Sequence, residues 1–507
     1  MCPKWLNPGI DALSTQTSSQ SWLSISRRVK SRMKMTAIRA RTLTRSHSAG
    51  LGGSEAGRRV HGRSRQSSAK ISPAEPPQLG GARMTAEIAI LNKSAVALAA
   101  DSAVTIGKPP NAKIYNTVNK IFELSANHPV GVMVYGRLDY LDLPLETVIK
   151  QYRRTLGDQS FPTIASYRDH LRDFLANEVP ASQSTMDLNV LIVIDDLFSS
   201  LSQAIDALIL QDIVARGSYK RSKVNGIAQR CLRGEISKLK KLDFAKGFSR
   251  VAVPTGCIDI VDALMDHSFE SLSPNETTKK LLRSYAGYAI SKAYLSDMRS
   301  GIVISGFGSD EICPSLEAFE TDGKIDGKMK YVNKSSVNIG REGEAAEVLG
   351  FAQDDMVKSF VDGIDPTIRT YFFDTVDKLI RDNSKLILDA MMGDEDRVNA
   401  ALAAIEGPLT HMQNDVKKKA SEYIDKSSTQ RIKDMVRSMP KQELSNLAES
   451  LIEITSLKRK VTRGQETVGG DVDVAIISKD EGFVWTKRKH YFPAELNQRF
   501  LARHYHH

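Results

Sequence analysis

The sequence predicts an α+β fold in which two sheets pack together with helices outside, and three observations carry that prediction. Strand-like runs cluster near residues 86–135, 300–339 and 472–487, and two long helical stretches separate them. No βαβ alternation runs through the chain, which disfavours a doubly wound parallel sheet. The first two strand-rich regions are each followed by helices with an apolar face, as needed to cover a sheet.

Taken in order, residues 86–91 and 95–100 read as two short buried strands joined by the turn-compatible pair Asn92-Lys93. Residues 107–111 form a Gly/Pro/Asn loop, and 118–124 and 130–135 are two further strands. From Pro144, a residue suited to a helix start, the period is mainly helical to about residue 299. Within that block 164–177 places Ile164, Tyr167, Leu171, Phe174 and Leu175 on one face. Residues 186–214 read as a second helix with a strand at 189–194, and 277–295 as an amphipathic helix. Strands return at 300–306, 316–320, 328–333 and 336–339, with a turn at 323–327. Residues 344–349 then open a second helical block to about 460, with long helices at 367–392 and 441–457. Strands at 472–478 and 483–487, around a polar turn, make a closing hairpin.

Charge divides the chain in two. Of its 70 basic and 60 acidic residues, 15 and 3 lie in the first 83, which puts +12 there and leaves −2 on the remaining 424. The basic balance therefore belongs to a Ser-, Arg- and Gly-rich leader, 1–83, expected to be disordered. It gives the body no reason to bind nucleic acid. Three origins fit the leader: a gene start read too far upstream with Met84 the true initiator, an organelle transit peptide, or a propeptide. The body is large enough for one elaborated domain or two; 84–490 reads as the domain with its insertions, and 491–507 as a tail. No run of ~20 apolar residues predicts a membrane span. Cys2, Cys231, Cys257 and Cys313 are scattered without a C-x-x-C pair, which points to a reducing, cytoplasmic setting without a zinc ribbon. There is no P-loop, so ATP-driven unfolding would require a separate ATPase partner, and no metal or cofactor is expected.

Three local patterns carry chemistry. Thr85 precedes the first strand and is followed by Ala99-Ala100-Asp101-Ser102-Ala103-Val104-Thr105-Ile106-Gly107; then come Thr117-Val118-Asn119-Lys120-Ile121 and Gly131-Val132-Met133-Val134-Tyr135-Gly136 with Asp139. Taken singly, Thr85 reads as an ordinary residue after a Met, Asp101 as a strand-end cap and Lys120 as a solvated charge. Together they resemble the proteasome β-subunit family, threonine peptidases of the N-terminal-nucleophile hydrolases, of which this chain looks like a divergent, bacterial-type member. Residues 300–323 and Val468-Gly469-Gly470 resemble later parts of the same family.

The resemblance implies a four-layer α/β/β/α sandwich, with large helical insertions at about 144–298 and 350–460. It implies that Thr85 supplies both the nucleophilic hydroxyl and, as a free N-terminus, the α-amino base. Asp101 would pair with a cationic Lys120, and that cation would depress the amine's pKa from its usual ~8. A backbone N–H at Tyr135 or Gly136 would hold the oxyanion. Met84 removal would free Thr85 without autolysis. Two segments depart from the family: Gly340-Arg341-Glu342-Gly343 lacks a Ser, and Gln465 to Val468 lacks the usual Asp and Ser before the closing glycines. Arg341, Glu466 or Thr467 are the candidate substitutes. Hydrolysis of peptide or protein amide bonds by a homo-oligomer is the implied function. The alternatives are an inactive assembly or interaction protein, or a small-molecule amidase, on the same scaffold.

Overall fold

Ala86–Asn92 (β1) and Ala95–Ala100 (β2) form an antiparallel hairpin, followed by the short strands Val104–Ile106 (β3), Lys113–Tyr115 (β4) and Ile121–Glu123 (β5), then Val130–Gly136 (β6). The computed structural model describes residues 85–106, 113–217, 221–340, 344–461, 469–490, 492–499 and 502. Asp139–Tyr140 (β7) and Leu143–Pro144 (β8) lead into the helices Leu145–Leu156 (α1), Ile164–Asn177 (α2), Gln183–Arg216 (α3), Arg221–Lys240 (α4), Ile258–Ser268 (α5) and Glu276–Ser291 (α6). Strands Ser300–Gly306 (β9), Ser315–Ile325 (β10), Lys328–Asn338 (β11) and Ala346–Ala352 (β12) follow. Helices Asp355–Asp362 (α7), Pro366–Met392 (α8), Glu395–Ile424 (α9), Gln430–Arg437 (α10) and Lys441–Val461 (α11) precede the closing hairpin Asp473–Ser478 (β13) and Gly482–Lys487 (β14).

The fold is mixed α/β with antiparallel sheets. One five-stranded sheet runs β12-β1-β2-β13-β14 and the other β11-β10-β9-β6-β5. Side chains alternate across β1: Ile88 and Ile90 join a cluster with Val357 of α7, Val436 of α10 and Leu444, Leu451 and Ile452 of α11. Ala89 and Leu91 point the other way, into a cluster that mixes Val96 and Leu98 with Met133, Val303 and Leu316 of the second sheet. On the second sheet Val132, Val134, Ile302 and Ile304 meet Leu145, Val148 and Tyr152 of α1 and Tyr167 and Leu171 of α2. Each fully buried aliphatic side chain of this kind contributes about 1.5–3 kcal/mol.

Four local expectations are corrected. Residues 344–349 do not open a helix. Ala346–Ala352 is a strand whose seven residues all pair with β1, from Ala86↔Ala352 to Asn92↔Ala346. Without it β1 would be an open sheet edge, and that tertiary demand outweighs the helix preference of Glu344, Ala345 and Ala346. Residues 189–194 are not a strand. They lie within the single helix α3, where Val190, Val193, Ile194, Leu197, Leu201 and Ile205 recur at helical spacing and bury one face. Ser182 caps it by accepting from the Thr185 amide at 3.2 Å, and Gly217 closes it. The turn expected over 323–327 is tighter. β10 runs on to Ile325, and only Asp326 and Gly327 turn, with φ of 53° and 72°, the geometry for which Asp-Gly is suited. The two strands expected at 328–333 and 336–339 are one strand, β11, interrupted by a register shift opposite Ala318 and Phe319.

By length and composition alone, α3 is long and apolar enough to cross a membrane. Its apolar stripe packs with Ala228 and Leu232 of α4, Met265 of α5 and Leu282 and Ile290 of α6.

Candidate active site

Thr85 stands one residue ahead of β1, and its carbonyl accepts from the Gln353 amide at 3.1 Å, which carries the β1–β12 pairing past the strand ends. Two residues on, Glu87 points to the same face as Thr85, Ala89 and Leu91, the face turned toward the second sheet. The Thr85 hydroxyl donates to Glu87 Oε2 at 3.1 Å. Both side chains are fully buried.

Asp101 follows the last residue of β2 and folds back over the start of β1. Its amide donates to the Ala86 carbonyl at 3.2 Å, and Ala86 N–H donates to its Oδ1 at 3.1 Å. Oδ2 accepts from Ala103 N–H at 3.3 Å and from Gly469 N–H at 3.0 Å, so the closing Gly469-Gly470 segment also reaches the site. Lys120 comes from the other sheet. It precedes β5, and its carbonyl accepts from Val134 N–H of β6 at 2.8 Å. Its Nζ donates to Asp101 Oδ1 at 2.5 Å and lies 3.1 Å from Glu87 Oε1. Burial alone would push Lys120 down, but Asp101 and Glu87 together hold it above the usual lysine range. It is therefore a fixed cation between two carboxylates. Glu87 responds oppositely: burial pushes its carboxyl up to about 7, Lys120 opposing and Asp101 adding to the rise.

The structure thus brings Thr85, Asp101 and Lys120 into one connected cluster. The residue missed in the sequence is Glu87. A signal for it existed, since an acid two residues from Thr85 in an otherwise apolar strand must share its face.

Tyr135 and Gly136 end β6 and pair with Gly301 and Ser300 of β9. Gly136 has φ of 74°, and a Cβ there would lie 2.5 Å from the Arg299 carbonyl, so only glycine fits. The Tyr135 hydroxyl donates to Glu320 Oε1 at 2.9 Å; burial and Glu320 raise its pKa and keep it protonated. Its ring centroid lies 5.5 Å from that of Phe351, which pairs with Glu87 across β12 and β1. Asp139 accepts from the Arg137 guanidinium at 2.6 Å. Arg341, Glu466 and Thr467 lie outside the described residues. Among the described residues no group of three or more His, Cys, Asp or Glu could hold a metal ion.

No protein-family model matches the chain, and no curated protein matches it. Among solved structures it is similar to Anbu from Hyphomicrobium sp. strain MC1, at 9% identity and a TM-score of 0.26, over 83% of this chain and 95% of that chain.

Proposed function

We propose that this chain is a threonine-type N-terminal-nucleophile hydrolase, like the proteasome β subunits, that cleaves amide or peptide bonds once Thr85 is its first residue. The observation that carries this reading is the buried Lys120–Asp101 ion pair, 2.5 Å long, beside the Thr85 hydroxyl and assembled from both sheets. In this reading the two sheets and their helices make a four-layer α/β/β/α sandwich, with helical insertions over about 144–298 and 350–460. Residues 1–83 are a leader, either upstream of the true start at Met84 or removed as a transit peptide or propeptide. Thr85 Oγ1 attacks the carbonyl, Lys120 and Asp101 supply the electrostatic support, and a backbone N–H at Tyr135 or Gly136 receives the oxyanion. A preorganised donor of that kind is worth ~3–4 kcal/mol. Arg341, Glu466 or Thr467 complete the polar surround. The substrate is a peptide or protein, the assembly a homo-oligomer in the cytoplasm, and unfolding, where needed, falls to a separate ATPase.

A second reading, a catalytically silent assembly protein on the same scaffold, draws support from one observation. As a residue inside the chain, Thr85 has no solvent exposure. Cleavage of the Met84–Thr85 bond would provide both the free amine and an approach for substrate, and the two readings divide on whether it occurs. The test is the intact mass of the purified protein before and after a peptidyl epoxyketone, which requires both hydroxyl and free amine. A chain beginning at Thr85 that gains one adduct is expected. A chain still carrying Met84, or one beginning at Thr85 without an adduct, overturns the hydrolase reading.

A further inference from the structure

We infer that Glu87 is the general base that takes the proton from the Thr85 hydroxyl, a proposal that rests on Thr85 being the nucleophile.

The geometry singles it out among the three charged groups of the cluster. Thr85 Oγ1 already donates to Glu87 Oε2 at 3.1 Å, so the proton has a direct line to travel. Asp101 offers no such line: its two oxygens serve Lys120 Nζ, Ala86 N–H, Ala103 N–H and Gly469 N–H. Lys120 is held as a cation and has no lone pair to accept a proton. It also fixes the base in place, since its Nζ lies 3.1 Å from Glu87 Oε1 and leaves Oε2 turned to Thr85. The groups that set the charge state of Glu87 are Lys120 and Asp101, the α-amine of Thr85 once it is free, and beyond them the protonated Tyr135 hydroxyl with Glu320 and Arg299. While Thr85 is joined to Met84, burial pushes the Glu87 carboxyl up to about 7, and a freed α-amine beside it opposes that rise when protonated, which favours the carboxylate that accepts the proton.

The step balances. The Thr85 O–H bond breaks and its proton passes to Glu87 Oε2. Oγ1 bonds the substrate carbonyl carbon, and the π pair moves onto the carbonyl oxygen. On collapse the C–N bond breaks, and Glu87 returns the proton to the departing amine. Water then repeats the sequence on the acyl ester, with Glu87 again taking and returning one proton.

The test is acylation of the protein, purified from the full sequence, by a fluorophore-bearing β-lactone, followed as labelling rate and intact mass between about pH 5 and 9. Wild type is expected to label once, at Thr85, with a rate that rises through neutral pH. E87Q is expected to label at the same residue about 100-fold more slowly or worse, without that rise. E87D, with its carboxylate one methylene shorter, recovers part of the rate together with the rise. A rate and profile in E87Q equal to wild type overturn the assignment and leave Thr85 as nucleophile. Absence of label in wild type, or label that persists in T85A, overturns the nucleophile itself and Glu87 with it. If E87Q is unfolded by circular dichroism, E87D decides: a rate flat through neutral pH overturns the proposal.

Discussion

Lys120 bridges two carboxylates, one on β1 and one just past the end of β2: its Nζ lies 2.5 Å from Asp101 Oδ1 and 3.1 Å from Glu87 Oε1, with all three side chains buried. One cation cannot neutralise two anions at this depth, so the cluster carries a surplus negative charge whenever Glu87 is ionised. That imbalance sets the pH behaviour expected of the fold.

Glu87 binds its proton more tightly folded than unfolded, with a pKa of about 7 against 4.5. Protonation therefore stabilises the fold, and this contribution falls as pH rises from the lower value through the higher. E87Q removes the dependence. Relative to wild type, the variant should gain about 1–3 kcal/mol between pH 5 and pH 8 in urea unfolding. A constant difference across that range would count against the raised Glu87 pKa.

Removing the cation should be costly. K120M leaves Asp101 and Glu87 facing each other without a counter-charge, and breaking a buried pair in this way costs about 3–5 kcal/mol. The loss should be smaller at pH 5, where Glu87 is protonated, than at pH 8. Chemical denaturation at the two pH values measures both. A loss under about 1 kcal/mol at pH 8 would show the pair to be poorly formed.

Asp101 tests coupling between the distant ends of the chain. D101N keeps the shape but weakens the hold on Lys120 and on the Gly469 amide. Hydrogen bonds to charged groups are worth about 1.5–3 kcal/mol, so a stability loss in that range is expected. Hydrogen exchange should show Gly469 N–H losing protection along with Ala86 N–H. Exchange unchanged at Gly469 would contradict the contact.

Tyr135 depends on a missing side chain opposite it. A Cβ at Gly301 would lie 2.1 Å from the Tyr135 ring, so G301A must displace that ring and with it the hydroxyl bond to Glu320. Overpacking of this kind costs about 1–3 kcal/mol. A urea midpoint equal to wild type would mean that the ring has room to move.

How much of this was legible in the sequence follows from how local each signal is. Thr85, Asp101 and Lys120 stood out only together, through their resemblance to the proteasome β-subunit patterns; what the apolar runs gave directly was the pair of strands that flanks Thr85 and Asp101. Glu87 left a local trace, an acid sharing a strand face with Thr85, but its meaning comes from Lys120, which is remote in sequence and lies on the other sheet. β12 was missed for a similar reason: Glu344, Ala345 and Ala346 favour a helix locally, and only pairing with β1 makes the segment a strand. The apolar run inside α3 misled in the opposite direction, because content without periodicity does not separate a strand from a buried helix turn. The Asp326-Gly327 turn, by contrast, carries its own backbone chemistry and needed only narrower bounds.

The Gly469 amide that binds Asp101 lies 368 positions along the chain from its partner. During synthesis β1 and β2 leave the ribosome first, and the segment that closes the carboxylate's shell emerges almost last. A nascent or truncated chain therefore holds the Thr85 hydroxyl without its finished electrostatic frame. The buried charge cluster is therefore finished only when the last strands of the chain are in place, and folding of this corner waits on completion of translation.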